Sequence, residues 1–390
     1  MKIAIVGPAH PYKGGGARHT TELAHRLAAA GHDVRIESWH AQYPARLYPG
    51  QQTVDEPEGS PYPDTARRLA WYRPDGWLAA GRRLRRTDLV VFVLLTPVQV
   101  PSYLTMLAAL GSHPRTVVLC HNVLPHERRP GDKQLVRALL RRAGAALVHS
   151  AAEQAAARAL APDLRTAVAA LPPHHLPATA AERPVVPGSG IHLVFFGIVR
   201  PYKGLDVLLR ALAQGPAELS LTVAGEFWGG TAATERLIAG LGLTGRVTLR
   251  PGYVPTSEIP GLFGAADVLV MPYRAATASQ NALLAFAYGV PVIATRAGAI
   301  ADEVIDGVNG LIAEPGDVAS LVRVLYRLAE PGMLGKLRAG VQAPSPEPAW
   351  ATYLTALTTF TPARRRGGRQ AGYPAGHPAG GGRSSRRSPR

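Results

Sequence analysis

Arg200 and Lys203, in "FFGIVRPYKGLDVLLRAL", follow an apolar run and precede a helical one. Two cations at the carboxyl end of a strand can offset a diphosphate, Arg through a bidentate fork and Lys as a point charge. A second constellation is "GPAHPYKGGGARHTTELAHRL", where Gly14, Gly15 and Gly16 lie between a strand and a helix. Backbone N–H groups and a helix N-terminus there can hold an anion. The spacing is neither G-x-G-x-x-G nor a Walker A loop, and a flexible turn accounts for the glycines equally well. A third is "TAS", Thr277 to Ser279, ahead of a helix from Asn281, where hydroxyls and N–H groups suit an N-cap and an anion site. The surrounding stretch, "MPYRAATASQNALLAFAYGVPVIATRAG", carries no acid. It therefore offers no side-chain carboxylate for acid–base work.

The elements that must position these groups alternate in type. "KIAIVG" reads as a buried strand, followed by the glycine loop and a helix from about His19 to Ala30. Strands follow at "HDVRIESW", "DLVVFVLL", "RTVVLCHN" and "AALVHS", with helical stretches between them. Leu171 to Gly190 is Pro-rich and reads as a linker. The alternation then restarts with "IHLVFFG", "ELSLTVAGE", "RVTLRPGY" and "DVLVMPY". The expected class is α/β, with two Rossmann-like doubly wound domains facing a cleft. Their expected ranges are 1–175 for a first domain, 176–190 for a linker and 191–340 for a second domain. In "PAWATYLTALTTF", Trp350, Tyr353, Leu354 and Leu357 share a helical face, which predicts a terminal helix over 345–361 packing between the domains.

A chain of 390 residues exceeds one ordinary core, and 46% apolar residues suit a globular protein. Its single cysteine excludes an internal disulfide framework. No signal peptide is recognisable and no run approaches 18 apolar residues, so the expected location is cytoplasmic. The net charge is +16, and half of the excess sits in eight arginines from Ala363 to Arg390, where there is no acid. That Arg/Gly-rich tail, 363–390, is expected to be disordered: a solvated tail, or one that adheres to anionic lipid or nucleic acid. Arg82 to Arg86 ("RRLRR"), with Arg137, Arg141 and Arg142, forms basic clusters in the first half. They read as a solvated face or as peripheral contact with the anionic inner face of a membrane. Nothing in the folded region interleaves aromatic and basic residues as a nucleic-acid module would.

The ordered set "FFGIVRPYKGLD", "VAGE", "RVTLRPGYVP", "AADVLVMPY" and "YGVPVIATRAGAIADEVIDGVNGLI" resembles glycosyltransferase family 4. The first half agrees through "GGGARHTTELAHRLAAAGHDV" and "CHNVLPHE", so the resemblance runs from about Met1 to Leu328. It implies the GT-B fold and a hexosyltransferase-type enzyme that moves a sugar from a nucleotide-sugar donor with retention, with 1–175 as the acceptor-binding domain and 191–340 as the donor-binding domain. Carried over by position, Arg200 and Lys203 would hold the donor diphosphate, with Gly15 and Gly16 across the cleft. His121 would face the transferring sugar as a catalytic residue with Arg200 and Lys203. Glu226, Tyr253 and Val254 would lie near the nucleoside. Thr277, Ala278 and Ser279 complete the donor set. His126 and Glu127 would bind acceptor, a glycan, lipid-linked or small molecule, or are surface residues.

Two departures from the family pattern stand out. The Glu-x7-Glu pair usual before the "GVPV" strand is replaced by Ala276 and Leu284, and Ile198 occupies the place from which the family's arginine commonly projects. The missing acids keep a silent, donor-binding member as the competing reading. In the proposed retaining mechanism the departing phosphate accepts the acceptor proton, so the main need is charge stabilisation. No Asp-x-Asp occurs, and no metal or cofactor is expected beyond the donor itself.

Overall fold

Short apolar strands alternating with amphipathic helices build two separate parallel sheets in the computed structural model. It describes residues 1–44, 52–54, 59–112, 114–174, 190–277, 279–298 and 300–360. The first sheet contains β1 (Lys2–Val6), β2 (Asp33–Ala41), β3 (Thr65–Ala70), β4 (Leu89–Leu94), β5 (Arg115–Cys120), β6 (Ala145–Val148) and β7 (Arg165–Val168). Their order is β3-β2-β1-β4-β5-β6-β7. The second contains β8 (His192–Phe196), β9 (Ser220–Gly225), β10 (Val247–Pro251), β11 (Val268–Met271), β12 (Val292–Thr295) and β13 (Gly310–Ala313), ordered β10-β9-β8-β11-β12-β13. Central strands are buried on both faces, as in β4, "LVVFVL", where every side chain is enclosed. That is the signature of a sheet covered on both sides by helices.

In each sheet the strand order reverses beside the first strand, between β1 and β4 and between β8 and β11. A crevice opens beyond the carboxyl ends of the strands at such a point. The loops after β1 and β8 carry the glycine segment and the Arg200–Lys203 segment, and both therefore arrive at the cleft.

Three edge strands, β3, β7 and β13, are absent from the sequence-based reading. β3, "TARRLA", and β7, "RTAV", expose residues on both faces and lack a period-2 apolar pattern. The helix expected from His19 begins at Gly15 and runs to Ala29. Gly14 at φ 93° turns the chain, so Gly15 and Gly16 form the helix's first turn rather than a loop before it.

The terminal helix, Pro346–Thr358, packs on the first domain instead of between the two. Trp350, Tyr353, Leu357 and Phe360 join Leu23, Leu27, Leu119 and Leu147 in one core cluster. The physical reason is anchorage: the Trp350 indole N–H donates to the Pro173 carbonyl at 2.9 Å, and Arg26 pairs with Glu347 at 2.6 Å. The expected linker 176–190 lies outside the described residues except for Gly190, and the tail 363–390 lies outside them entirely.

Candidate active site

Lys203 is placed by its neighbour. Gly204 adopts φ 67°, and a Cβ there would stand 2.1 Å from the Pro272 carbonyl oxygen. Only glycine allows this approach, which turns the chain from Lys203 into the helix Leu205–Gln214. Lys203 is half-buried, and its ammonium lies 5.1 Å from the Tyr273 ring centroid. Burial disfavours its charge, but the phenols of Tyr273 and Tyr202 outweigh that and hold the ammonium above the ordinary lysine range. Lys203 is thus a half-buried cation at neutral pH, and it lines two adjoining cavities.

The first cavity, of ≈ 260 Å³, lies between the two domains. One wall is the start of the helix Gly15–Ala29, where nothing would meet a Cβ on Gly15 within 4 Å. The backbone of that turn is consequently open to the cavity. Gly16 is different, since a Cβ there would meet the Leu95 side chain at 2.6 Å. Its smallness serves packing as well as any ligand. The far wall is an apolar slot of Phe196, Val254, Ile259 and Leu284, with Tyr253 at the rim. Glu226 faces the same space and forms an ion pair with Lys13 of the first domain. Lys13 was not singled out in the sequence, because a lone lysine in a loop carries no pattern.

Arg200 stands elsewhere. It forms a two-point ion pair with Glu127 of the first domain, and its guanidinium lies 4.7 Å from the Trp228 ring centroid. It is not among the residues lining either cavity. The cation assigned to the donor and the acid assigned to the acceptor hold one another across the cleft. Nearby, His126 stacks on Tyr202 at 4.8 Å.

The second cavity, ≈ 300 Å³, is lined by His121, Asn122, His149, Tyr273, Ala276 and Ser279 among others. Ser279 caps the helix Gln280–Ala287 by accepting from the Asn281 N–H. Thr277 instead donates to the Asn122 side chain at 2.5 Å and ties the domains together. Ala278 lies outside the described residues. Gln280 donates to the Pro172 carbonyl at 3.0 Å. Residues Leu171–His174, read as linker, are thereby built into the site.

Behind His121 lies a cluster that the sequence did not reveal. The rings of His19 and His121 are 5.1 Å apart, and those of His121 and His149 are 5.2 Å apart. His19 contacts Tyr353 at 3.1 Å and His174 at 3.4 Å. Burial lowers the pKa of all four histidines, helped in His19 and His121 by neighbouring imidazoles. His149 falls to about 4 and His174 to about 3, so the rings are neutral at neutral pH. Among the described residues, no three His, Cys, Asp or Glu side chains are grouped to hold a metal ion.

Comparison with known proteins agrees with the two-sheet fold. Residues 13–168 match the family model for Glycosyltransferase Family 4, and residues 190–330 match that for glycosyl transferases group 1. A D-inositol 3-phosphate glycosyltransferase of Arthrobacter sp. (strain FB24) is 34% identical over 150 residues, 36% of this chain and 35% of that protein. The chain therefore spans about a third of that curated relative's length. Sucrose-phosphate synthase from Thermosynechococcus elongatus superposes with a TM-score of 0.70 at 18% identity, covering 92% of this chain and 97% of the other. Anabaena HepE in complex with UDP-glucose gives a TM-score of 0.67 at 17% identity, covering 92% and 98%. These likenesses establish the two-domain GT-B fold.

Proposed function

The chain belongs to the glycosyltransferases that those two family models describe, and from that premise we propose that it transfers a sugar from a nucleotide-sugar donor to an acceptor hydroxyl with retention. The observation that carries this reading is the half-buried Lys203 ammonium, set where the first cavity, with its apolar slot, meets the polar second cavity. A nucleoside would lie between Tyr253, Val254, Ile259 and Leu284. The diphosphate would meet Lys203 on one side and the first-turn N–H groups at Gly15 and Gly16 on the other. A helix N-terminus and a half-buried cation both favour growing negative charge.

On this reading the leaving phosphate takes the acceptor proton and no side-chain base is needed. His121, neutral and facing the second cavity, then lies beside the sugar rather than titrating. Leu284 lines the first cavity and Ala276 the second, so the positions without acids do face the ligand space. Glu226 is the carboxylate lining the first cavity, and Lys13 already neutralises it. We expect the positive charge needed by the leaving group to come from the protein and the reaction to need no metal. Anabaena HepE, crystallised with UDP-glucose, supports a nucleoside diphosphate sugar as donor class. No observation favours a silent binder.

Contact with an anionic membrane is a further part of the proposal, for a lipid-linked acceptor. Arg82, Arg86, Arg137, Arg141 and Arg142 are exposed on the first domain, and Trp71 and Tyr72 are exposed just before the helix Pro74–Arg83. Arg83 and Arg85 are less available, since Arg83 pairs with buried Glu37 and Arg85 donates to the Ala109 carbonyl. No helix among the described residues is long and apolar enough to cross a membrane.

A thermal-shift screen of nucleotide sugars tests the reading without knowledge of the acceptor. At least one should raise the midpoint by mass action. Failure of every nucleotide and nucleotide sugar would overturn it.

A further inference from the structure

The loop that follows β5 reaches across to the second domain at several points. The Asn122 side chain accepts the Thr277 hydroxyl, His126 stacks on Tyr202, and Glu127 pairs with Arg200. One segment of the first domain thus touches the loops after β8 and β11. It has no regular structure of its own, since 121–129 contains neither helix nor strand.

Val123 is its fixed point. The side chain is fully buried in the first domain's core. The Val123 N–H is thereby closed to water and needs a partner within the protein. That partner is the Glu153 carboxylate, which accepts it at 2.5 Å. A carboxylate makes a stronger bond to an N–H than a neutral acceptor does. Glu153 is fixed in turn, because it stands in the first turn of the helix Ala151–Leu160, where the Ser150 hydroxyl accepts its N–H at 3.2 Å. A negative charge there also suits the positive end of the helix.

Glu153 lines neither cavity, so any effect on transfer must pass through the loop. Replacing the carboxylate with a methyl group would leave the Val123 N–H buried and unpaired. The cost of such an orphan is relieved only if the peptide turns towards water. The peptide that turns is the one joining Asn122 to Val123, and Asn122 is the residue that holds Thr277.

We propose that Glu153 is a positioning residue: it fixes the Asn122–Val123 peptide and, through Asn122, sets Thr277 and the Ser279-capped start of the helix Gln280–Ala287 against the first domain. Resting on the nucleotide-sugar reading above, this is the closed arrangement in which the donor diphosphate is aligned for cleavage.

Double electron–electron resonance between spin labels at Lys133→Cys and Arg236→Cys, one exposed site on each domain, reads closure without any ligand. Cys120 is buried and stays unlabelled. Glu153→Ala should broaden the distance distribution and shift it outward. Glu153→Gln, whose amide oxygen accepts the same N–H, should keep the wild-type distribution. Thr277→Val should shift the distribution in the wild-type background and add little to Glu153→Ala. Release of free sugar from UDP-glucose or GDP-mannose, whichever the wild type binds, should fall about tenfold in Glu153→Ala, the scale of one buried hydrogen bond, with UDP or GDP affinity within about twofold of wild type. Unchanged distances and sugar release in folded Glu153→Ala overturn the proposal. So does a loss in Glu153→Gln as large as in Glu153→Ala, or an equal shift by Thr277→Val in both backgrounds. Equal losses of nucleotide affinity and turnover at wild-type distances would mean that Glu153 merely holds the fold. If the wild type binds no nucleotide sugar, that reading falls, and the ligand-free distances still decide the role of Glu153.

Discussion

Lys203→Ala and Arg200→Ala should lower turnover by different factors, because the fold commits the two cations differently. Lys203 lines both cavities where they meet. Losing a preorganised charge from such a position costs ~10²–10³ in rate, with a smaller effect on donor binding, because negative charge on the bridging oxygen grows as the glycosidic bond breaks. Arg200 must first leave Glu127. The Glu127 side chain is 41% exposed, so solvent screening limits that ion pair to about 0.2–1 kcal/mol. This opposes donor binding by about 1.5- to 5-fold. Glu127→Gln should therefore tighten donor binding by that factor, and the gain should vanish in an Arg200→Ala background. Arg200→Lys should retain only part of the activity, since an ammonium cannot make a bidentate contact. Calorimetric donor affinity and steady-state turnover, measured in the same preparations, separate the effects. If Glu127→Gln instead raises the acceptor KM and leaves donor affinity unchanged, Glu127 serves the acceptor and the exchange is refuted. Unchanged turnover in Lys203→Ala, with the fold intact, would remove that residue from the mechanism.

Stability should fall as pH drops from about 6.5 towards 4. Unfolded, each buried histidine takes a proton near its ordinary pKa, whereas folded His149 and His174 do so only near about 4 and about 3. The unfolded chain then binds more protons across that window, so the melting midpoint should be lower at pH 5.0 than at pH 7.5. An unchanged midpoint would contradict the neutral cluster. Trp350→Ala should cost ~3–5 kcal/mol in urea unfolding, because a 1% exposed indole and its bond to the Pro173 carbonyl are lost together. A cost below about 1 kcal/mol would mean that the terminal helix is not part of the first domain's core. Sedimentation with anionic vesicles should weaken sharply at high salt, each basic residue contributing ~1 kcal/mol, even in a chain ending at Thr361. Equal binding to neutral vesicles would exclude the electrostatic contact.

What could be read from the sequence is what repeats locally. β4 is an unbroken apolar run and β8 is apolar from Leu193 to Phe196, and the alternation around them specifies two doubly wound sheets. The edge strand β3 could not be read, because Arg67 and Arg68 break any alternation and its pairing with β2 is tertiary. The start of the helix Gly15–Ala29 was missed because glycines have poor helix propensity, whereas here a positive φ at Gly14 sets the turn. Lys203, Glu226, Tyr253 and Val254 do face one cavity, and counting back from Gly289 does locate two cavity-lining positions, Ala276 and Leu284. Arg200 shows the limit of such reasoning. Its place after a strand suggests a phosphate, but Glu127, distant in sequence, competes for it. The histidine cluster is illegible for a similar reason. His19, His121, His149 and His174 come from four separate segments, and only the return of Tyr353 from the terminal helix completes their packing.

The central claim is that Lys203, where the two cavities meet, holds a nucleotide sugar and stabilises its departing diphosphate. Release of free sugar from UDP-glucose, GDP-mannose and related donors, followed without acceptor in the wild type and Lys203→Ala, tests it most directly. The wild type should bind one donor and hydrolyse it slowly, unaffected by EDTA, while Lys203→Ala should still bind that donor but release sugar ~10²–10³ more slowly. Donor release at the same rate in both proteins, or binding of no donor by the wild type, would contradict the account.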